Sequence, residues 1–437
     1  SGPNAFQIAG KIFHNNKKFT DIFLKTHTIH HGYIRSPVTG KNIDEVLLLI
    51  MRAPNTYTFE DTVEISCHGG IMPLKGILDL CIQCGARLAD PGEFTKRAFL
   101  NGRLDLTQAE AVIDLIQSKT DAARHVAVEQ LRGSFSEEIG HLRSYILDVL
   151  SLIEAGIDFS DEDIKFASIR DILEKVEDVY ACVKKMIKTA DKGIILREGV
   201  SVVICGKPNV GKSSLMNALL KHDRVIVTSI AGTTRDIVEE SIDLAGVNMR
   251  ISDTAGIIDT EDRVEIEGIR RSKEKLKNAD IVIFVLDSSE SLTEKDLNVY
   301  AAMKEKRTVL VLNKSDLPKK IRKKEIRDKF GIEKFVTVSA LKKIGLEKLE
   351  DQLIDKLFDG DVAVSEGVMV TNLRHKNILE KVAENLDRAV RLTDENYNGE
   401  LLASDLNETV YQLGLIIGES VEDDMLDRIF SRFCVGK

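Results

Sequence analysis

SVVICGKPNVGKSS, residues Ser201 to Ser214, starts as a run of β-branched and apolar residues, turns through glycine and proline, and ends in polar residues suited to the first turn of a helix. It reads as strand, tight turn and helix in succession. Downstream, Asp280–Asp287 (DIVIFVLD), Thr308–Asn313 and Lys334–Val338 are further strands of the buried type, separated by helical stretches. Apolar strands alternating with helices predict a doubly wound, mostly parallel sheet over residues 198–358.

Outward from this unit the pattern changes on both sides. Between Leu104 and Lys192 glycine is sparse and proline absent, and Leu142, Ile146, Val149, Leu150 and Ile153 recur on one helical face. After Asp361 the chain turns helical again, over Leu373 to Leu392 and Leu401 to Phe433. From Ser1 to about Leu100, short apolar runs such as Glu45–Ile50 and Thr62–Ile65 alternate with Gly, Pro and Asn, which predicts mixed helices and strands. The expected fold class is multi-domain α/β. An N-terminal α+β domain (1–101) precedes a discontinuous helical domain (102–197 and 359–437) into which the α/β unit is inserted.

Bulk properties narrow the classes of function. The 437 residues are 43 % hydrophobic and 30 % charged, ordinary globular material for two or three cores. No run reaches the roughly 18 apolar residues of a membrane helix, and the N-terminus lacks a secretory pattern, so the cytoplasm is the expected compartment. Cys67, Cys81, Cys84, Cys182, Cys205 and Cys434 do not form a disulfide framework, and reduced thiols are expected. The net charge of -9 argues against a broadly basic, nucleic-acid-coating surface.

Gly206 to Ser213 fits G-x-x-x-x-G-K-[ST] in the required strand-turn-helix setting. Its backbone N–H groups can turn around phosphates, Lys212 can reach the β- and γ-phosphates, and the Ser213 hydroxyl suits Mg²⁺. Asp253, ending NMRISD, is placed to hold Mg²⁺ through water, and Gly256 of the same D-T-A-G supplies an N–H for the γ-phosphate. Asn313-Lys314-Ser315-Asp316 follows a strand, and the Asp316 carboxylate can accept both donors on the Watson–Crick edge of guanine, a pair adenine lacks. Ser339 and Ala340 follow another strand and would close that pocket. Together these elements predict GTP/GDP binding. Thr233 and Thr234, in SIAGTTRD, lie where a first switch belongs, and Thr234 is the favoured Mg²⁺ ligand. Ile257, after Gly256, has no polar atom with which to orient an attacking water.

These motifs and their flanks resemble the MnmE (TrmE) family of tRNA-modifying GTPases. The likeness extends from Ser1 to Lys437: TYTFED at Thr56–Asp61, CHGG at Cys67–Gly70, PGEFTKRAFLNGRLDLTQAEAV at Pro91–Val112, TNLRH at Thr371–His375 and CVGK at Cys434–Lys437. The phosphate loop and AGTTRD also occur in relatives such as Era, so the flanks carry the specificity.

The resemblance implies a homodimer that works with an FAD protein of the MnmG type, as a heterotetramer, to install a carboxymethylaminomethyl or aminomethyl group at C5 of the wobble uridine of certain tRNAs. It implies a tetrahydrofolate derivative, 5-formyl or methylene, in the N-terminal domain, whose family members carry a further Gly-rich strand upstream of Ser1. It also implies K⁺-dependent hydrolysis when two G domains meet. Asn209 matches the K⁺ ligand, with Ser229, Ile230 and Thr233 supplying carbonyls. A cation there would act as an arginine finger does elsewhere. Glu265 matches the water-positioning residue, and Lys212, Thr234 and Glu265 form the catalytic set. The nucleotide shell implied is Asn209, Val210, Gly211, Lys212, Ser213, Ser214, Thr228, Ser229, Thr233, Thr234, Asp253, Gly256, Asn313, Lys314, Asp316, Ser339 and Ala340. Arg97, Cys434 and Lys437 fall near the expected folate site.

Weaker signals have plainer readings beside the functional ones. C-V-G-K does not match a prenylation box, so anchoring is rejected. Cys81-x-x-Cys84 has no second ligand pair and reads as helix core. His68 belongs either to a ligand-approaching glycine segment or to a structural turn. Lys319 to Lys324 reads as a solvated helix face rather than a tRNA contact. Arg97 and Arg103 meet an anionic folate tail or pack the domain through salt bridges. Two other functions compete with tRNA modification: an Era-like RNA-binding switch in ribosome assembly, and a non-catalytic scaffold, which intact Lys212, Asp253 and Asp316 argue against.

Overall fold

A computed structural model describes residues 1–15, 25–158, 169–221, 240–253, 274, 276–358, 368–395 and 399–436. Contacts divide the chain into two compact units. The first comprises 1–116, 129–176 and 388–437, and the second 117–128 and 177–387.

In the first unit, α1 (Ala5–Ile12) leads into an antiparallel sheet in the order β1 (Phe13–His14), β2 (Thr28–Arg35), β3 (Asn42–Met51), β4 (Thr62–Ser66). Alternation along β3 buries Val46, Leu48 and Ile50, which pack with Ile12 and Ile34, and with Ile77 and Leu80 of α2 (Ile71–Gln83). After α3 (Glu93–Leu100), α4 (Leu106–Gln117) buries Leu106, Ala109 and Ile113 in a cluster with Leu426, Phe430 and Phe433. The apolar face expected from Leu142 to Ile153 lies on α6 (Ser134–Asp158), where all five residues are buried against α13 (Gly399–Ile417). The stretch from Leu401 to Phe433 is two helices rather than one. It breaks after α13 at Gly418, whose φ of 97° a helix cannot continue, and resumes as α14 (Asp423–Phe430).

The second unit holds a six-stranded sheet of β5 (Val200–Cys205), β6 (Glu240–Leu244), β7 (Val247–Asp253), β8 (Ile281–Asp287), β9 (Arg307–Asn313) and β10 (Phe335–Thr337). The order is β10-β9-β8-β5-β7-β6, parallel throughout except for β6 on β7. Every residue of β8 is buried, as its unbroken apolar run requires of a strand covered on both faces. Cores lie on both sides of the sheet, formed with α8 (Lys212–Leu220) and α11 (Leu346–Phe358) on one and with α9 (Glu294–Ala301) and α10 (Lys323–Phe330) on the other.

Three contacts join helical segments to other parts of the second unit, one of them to this sheet. At the start of α5 (Asp121–Leu131), the Thr120 hydroxyl donates to the Gly246 carbonyl at 2.8 Å, in the turn between β6 and β7. Tyr180, on α7 (Ile169–Glu198), donates to Asp387 on α12 (Leu373–Glu395) at 2.8 Å. Further along α7, a Cβ added to Gly193 would lie 2.1 Å from the Val370 carbonyl oxygen, so the returning chain touches the helix backbone directly.

Candidate functional site

β5 ends in the buried Cys205, and the loop Gly206–Gly211 carries the chain into α8. Gly211, the N-cap, has φ of 94°, and a Cβ there would lie 2.3 Å from the Asn313 amide nitrogen. Only glycine lets the loop and that amide coexist. Lys212 curls back so that Nζ donates to the carbonyls of Gly206 and Lys207, each at 3.1 Å. Among the described residues these two carbonyls are its hydrogen-bond partners, so the ammonium stands over the loop. Ser213 and Ser214 are exposed on the first turn of α8, where the helix dipole favours an anion. Asn209 is exposed at the loop tip with φ of 65°. Sequence reasoning passed over Lys207, whose ammonium lies 2.9 Å from Glu290 and 3.6 Å from the buried Asp296. That pairing outweighs burial and raises its pKa.

Opposite the phosphate loop, Asn313 ends β9 and is buried. Its amide donates to the Val210 carbonyl at 2.8 Å, and its oxygen accepts the Ala340 N–H at 3.0 Å. Three chain segments far apart in sequence therefore converge on one side chain. Ser339, fully buried, donates its hydroxyl to Asp316 at 2.5 Å, which holds that carboxyl below the usual range. Lys314 adopts φ of 61°, and its ammonium lies 2.6 Å from Asp287 at the end of β8. Burial pushes the Asp287 carboxyl up, but Lys314 and Ser289 together hold it below its ordinary value. Asp287 was read only as the last residue of a strand. An acid closing an otherwise apolar strand is the signal that marks it.

Asp253 ends β7 beside Ile204 of β5, one residue before the phosphate loop's approach. Thr228, Ser229, Ile230, Thr233, Thr234, Gly256, Ile257, Glu265 and Lys437 lie outside the described residues. The structure thus brings the Gly206–Gly211 loop together with the segments at Asn313 and Ala340.

A separate cavity of about 300 Å³ opens in the first unit, lined by Ile8, Ile12, Val63, Ile65, Phe94 and Arg97 among others. Arg97 donates to Glu60 at 3.1 Å and to Glu93, which Arg87 also engages. The Glu93 carboxyl is held down to about 2, chiefly by Arg87. Arg97 is therefore charge-compensated within the protein. Arg103 donates to the Tyr57 carbonyl and lies over its ring at 4.7 Å. Cys434 is exposed, and its carbonyl accepts the Gly92 N–H at 3.4 Å beside a Pro91–Val435 bridge, which sets it next to α3 and the cavity. His68 is held in a turn: its N–H and ring nitrogen each meet Asp44 at 2.8 Å. Cys81 and Cys84 pack against the sheet core, and no cluster of three His, Cys, Asp or Glu side chains suited to a metal occurs among the described residues.

Residues 1–103 match the family described as GTP-binding protein TrmE N-terminus, and residues 106–434 match the MnmE helical domain. This chain belongs to the MnmE (TrmE) family. Proteins called tRNA modification GTPase MnmE are similar over the whole chain: 47 % identity in Thermoanaerobacter pseudethanolicus and 44 % in Alkaliphilus oremlandii, each alignment covering 100 % of this chain and 95 % of the relative. The MnmE of Ligilactobacillus salivarius is 44 % identical over 100 % of this chain and 94 % of its own. No described helix is long and apolar enough to cross a membrane.

Proposed function

We propose that the chain hydrolyses GTP in the service of tRNA modification. The observation that carries this reading is the junction at Asn313, whose two buried hydrogen bonds join the Lys212 loop to the Ser339–Ala340 turn, with Ser339 in turn bonded to Asp316. The tRNA half rests on family membership, since the relatives are named tRNA modification GTPases.

In this reading the N–H groups from Asn209 to Ser214 surround the phosphates, and Lys212 exchanges its two carbonyl partners for phosphate oxygens. Asp316 accepts the guanine donors while Ser339 steadies its other oxygen, and the Ala340 segment borders the base. Glu265 orients the attacking water, and Ile257 shapes the pocket without polar chemistry. Ser213, Thr234 and Asp253 would hold Mg²⁺. Asn209 and the carbonyls of Ser229, Ile230 and Thr233 would hold K⁺, completed on G-domain dimerisation. Bound there, the two cations would neutralise charge developing on the phosphates.

The finer reading includes domains at 1–101, 102–197 with 359–437, and 198–358. It adds a cytoplasmic homodimer, an FAD partner of the MnmG type, wobble uridine as the target, and a tetrahydrofolate derivative in the 300 Å³ cavity near Cys434. That cavity's apolar walls suit a pteridine, but the paired Arg97 would have to release Glu60 or Glu93 to meet an anionic tail. An Era-type ribosome-assembly switch is less supported, because both flanks match the tRNA-modification family.

The test is turnover of GTP and of ATP by the full chain in KCl and NaCl at equal ionic strength. The expected result is GTP hydrolysis, faster in KCl, with ATP inert. Equal rates in both salts remove the K⁺ reading alone, whereas absent GTP turnover overturns the hydrolase.

A further inference from the structure

Asp287 and Asn313 end neighbouring parallel strands in direct register. Asp287 is 4 % exposed, and three groups converge on its carboxylate: the Lys314 ammonium at 2.6 Å on Oδ2, and the Ser289 N–H and hydroxyl at 2.9 and 2.6 Å on Oδ1. The next residue continues the tie. Ser288 donates its N–H to the Asn313 carbonyl at 2.9 Å and its hydroxyl to the Lys314 carbonyl at 3.1 Å. Lys314 itself sits at φ of 61°, a left-handed conformation that an ordinary side chain resists by about 1–2 kcal/mol. A residue so held, two positions before Asp316, sets where the Asp316 carboxylate emerges from the loop.

We propose that Asp287 is the positioning residue of the guanine pocket, holding Lys314 in its left-handed conformation and so fixing Asp316 for recognition of the base edge. This rests on the reading of the site as a guanine-nucleotide pocket. Asp287 does not touch the base. It acts through Lys314, and Ser288 secures the same residue from the backbone side. A charge-assisted bond at a site this buried is stronger than a neutral one, and its loss frees both the side chain and the strained backbone.

The expected consequence is specific. Asp287→Asn keeps the size and the Ser289 contacts but removes the counter-charge to Lys314. Binding of a fluorescent GDP should weaken about tenfold, the worth of roughly one charged hydrogen bond. Inosine diphosphate lacks the 2-amino donor that Asp316 would accept, so its binding should change less, and the GDP-to-IDP affinity ratio should shrink. Lys314→Met should shrink the ratio similarly, and the double variant should be no worse than the Lys314 variant, as for two residues that act as one unit.

A GDP-to-IDP ratio unchanged in Asp287→Asn would overturn the proposal, because a merely structural residue would weaken both nucleotides equally. Additive effects in the double variant would also overturn it. Failure of the underlying reading looks different: the wild-type chain would then show no preference for GDP over ADP.

Discussion

The Asn313 side chain bridges Val210 and Ala340, donating to one backbone carbonyl at 2.8 Å and accepting one backbone N–H at 3.0 Å. Asn313→Ala leaves both groups unpaired in buried surroundings, at about 1–3 kcal/mol each. We expect GDP affinity to fall by tenfold or more in a fluorescence titration, since about 1.4 kcal/mol is a factor of ten. Affinity within twofold of wild type would show that the two loops are held together by something else.

The N-terminal domain should be acid-sensitive through Glu93. Its carboxyl is held at about 2 against an ordinary 4.5, chiefly by Arg87, so the stabilisation is complete above pH 4.5 and is lost as the pH falls toward 2. In thermal melts across that window the wild type should lose stability more steeply than Glu93→Gln. The variant should already be weaker at neutral pH, because Arg87 and Arg97 lose their shared carboxylate. Parallel slopes would remove Glu93 as the titrating group.

Gly92 precedes α3 with φ of 71°, and a Cβ there would lie 2.7 Å from the Phe430 carbonyl oxygen. Gly92→Ala adds a left-handed penalty of about 1–2 kcal/mol to a backbone clash with the last helix. Limited trypsinolysis should cut faster at Arg428 and Arg432 in the variant, while GTP turnover by the separate nucleotide unit keeps its rate. Unchanged cleavage would mean that α14 is held from elsewhere.

The Thr120 hydroxyl donates to Gly246 and accepts the Ala123 N–H at 3.2 Å, so it caps α5 while holding the β6–β7 turn. Thr120→Val loses both bonds and should cost about 1–2 kcal/mol. Hydrogen exchange should quicken together in the first turn of α5 and in the turn at Ala245–Gly246. Quickening in α5 alone would reduce the residue to a helix cap.

The sequence was most readable where a function needs a particular backbone. The phosphate loop, the Asn313–Asp316 loop and Ser339–Ala340 are short runs of adjacent residues, and the alternation of strands and helices around them indicates the parallel strands of the sheet but not its antiparallel edge strand β6. Pairings across long separations were not legible. Asp287 faces Asn313 only through strand register, and Arg97 meets Glu60 only after the N-terminal sheet has formed. The continuous apolar period after Leu401 hid the break at Gly418, since periodicity reports the buried face and not the turn between two helices that share it. Thr234 and Gly256 rest on motifs and Glu265 on the family resemblance, and all three lie outside the described residues.

The contact of Gly193 with Val370 has an architectural consequence. The chain departs for the nucleotide sheet and comes home within the width of a single side chain. The intervening cassette is therefore closed on itself like a bead whose two threads leave by one hole. A short peptide spliced across that gap could replace it without pulling the two ends apart, and the excised bead would carry its own matched ends to a new host.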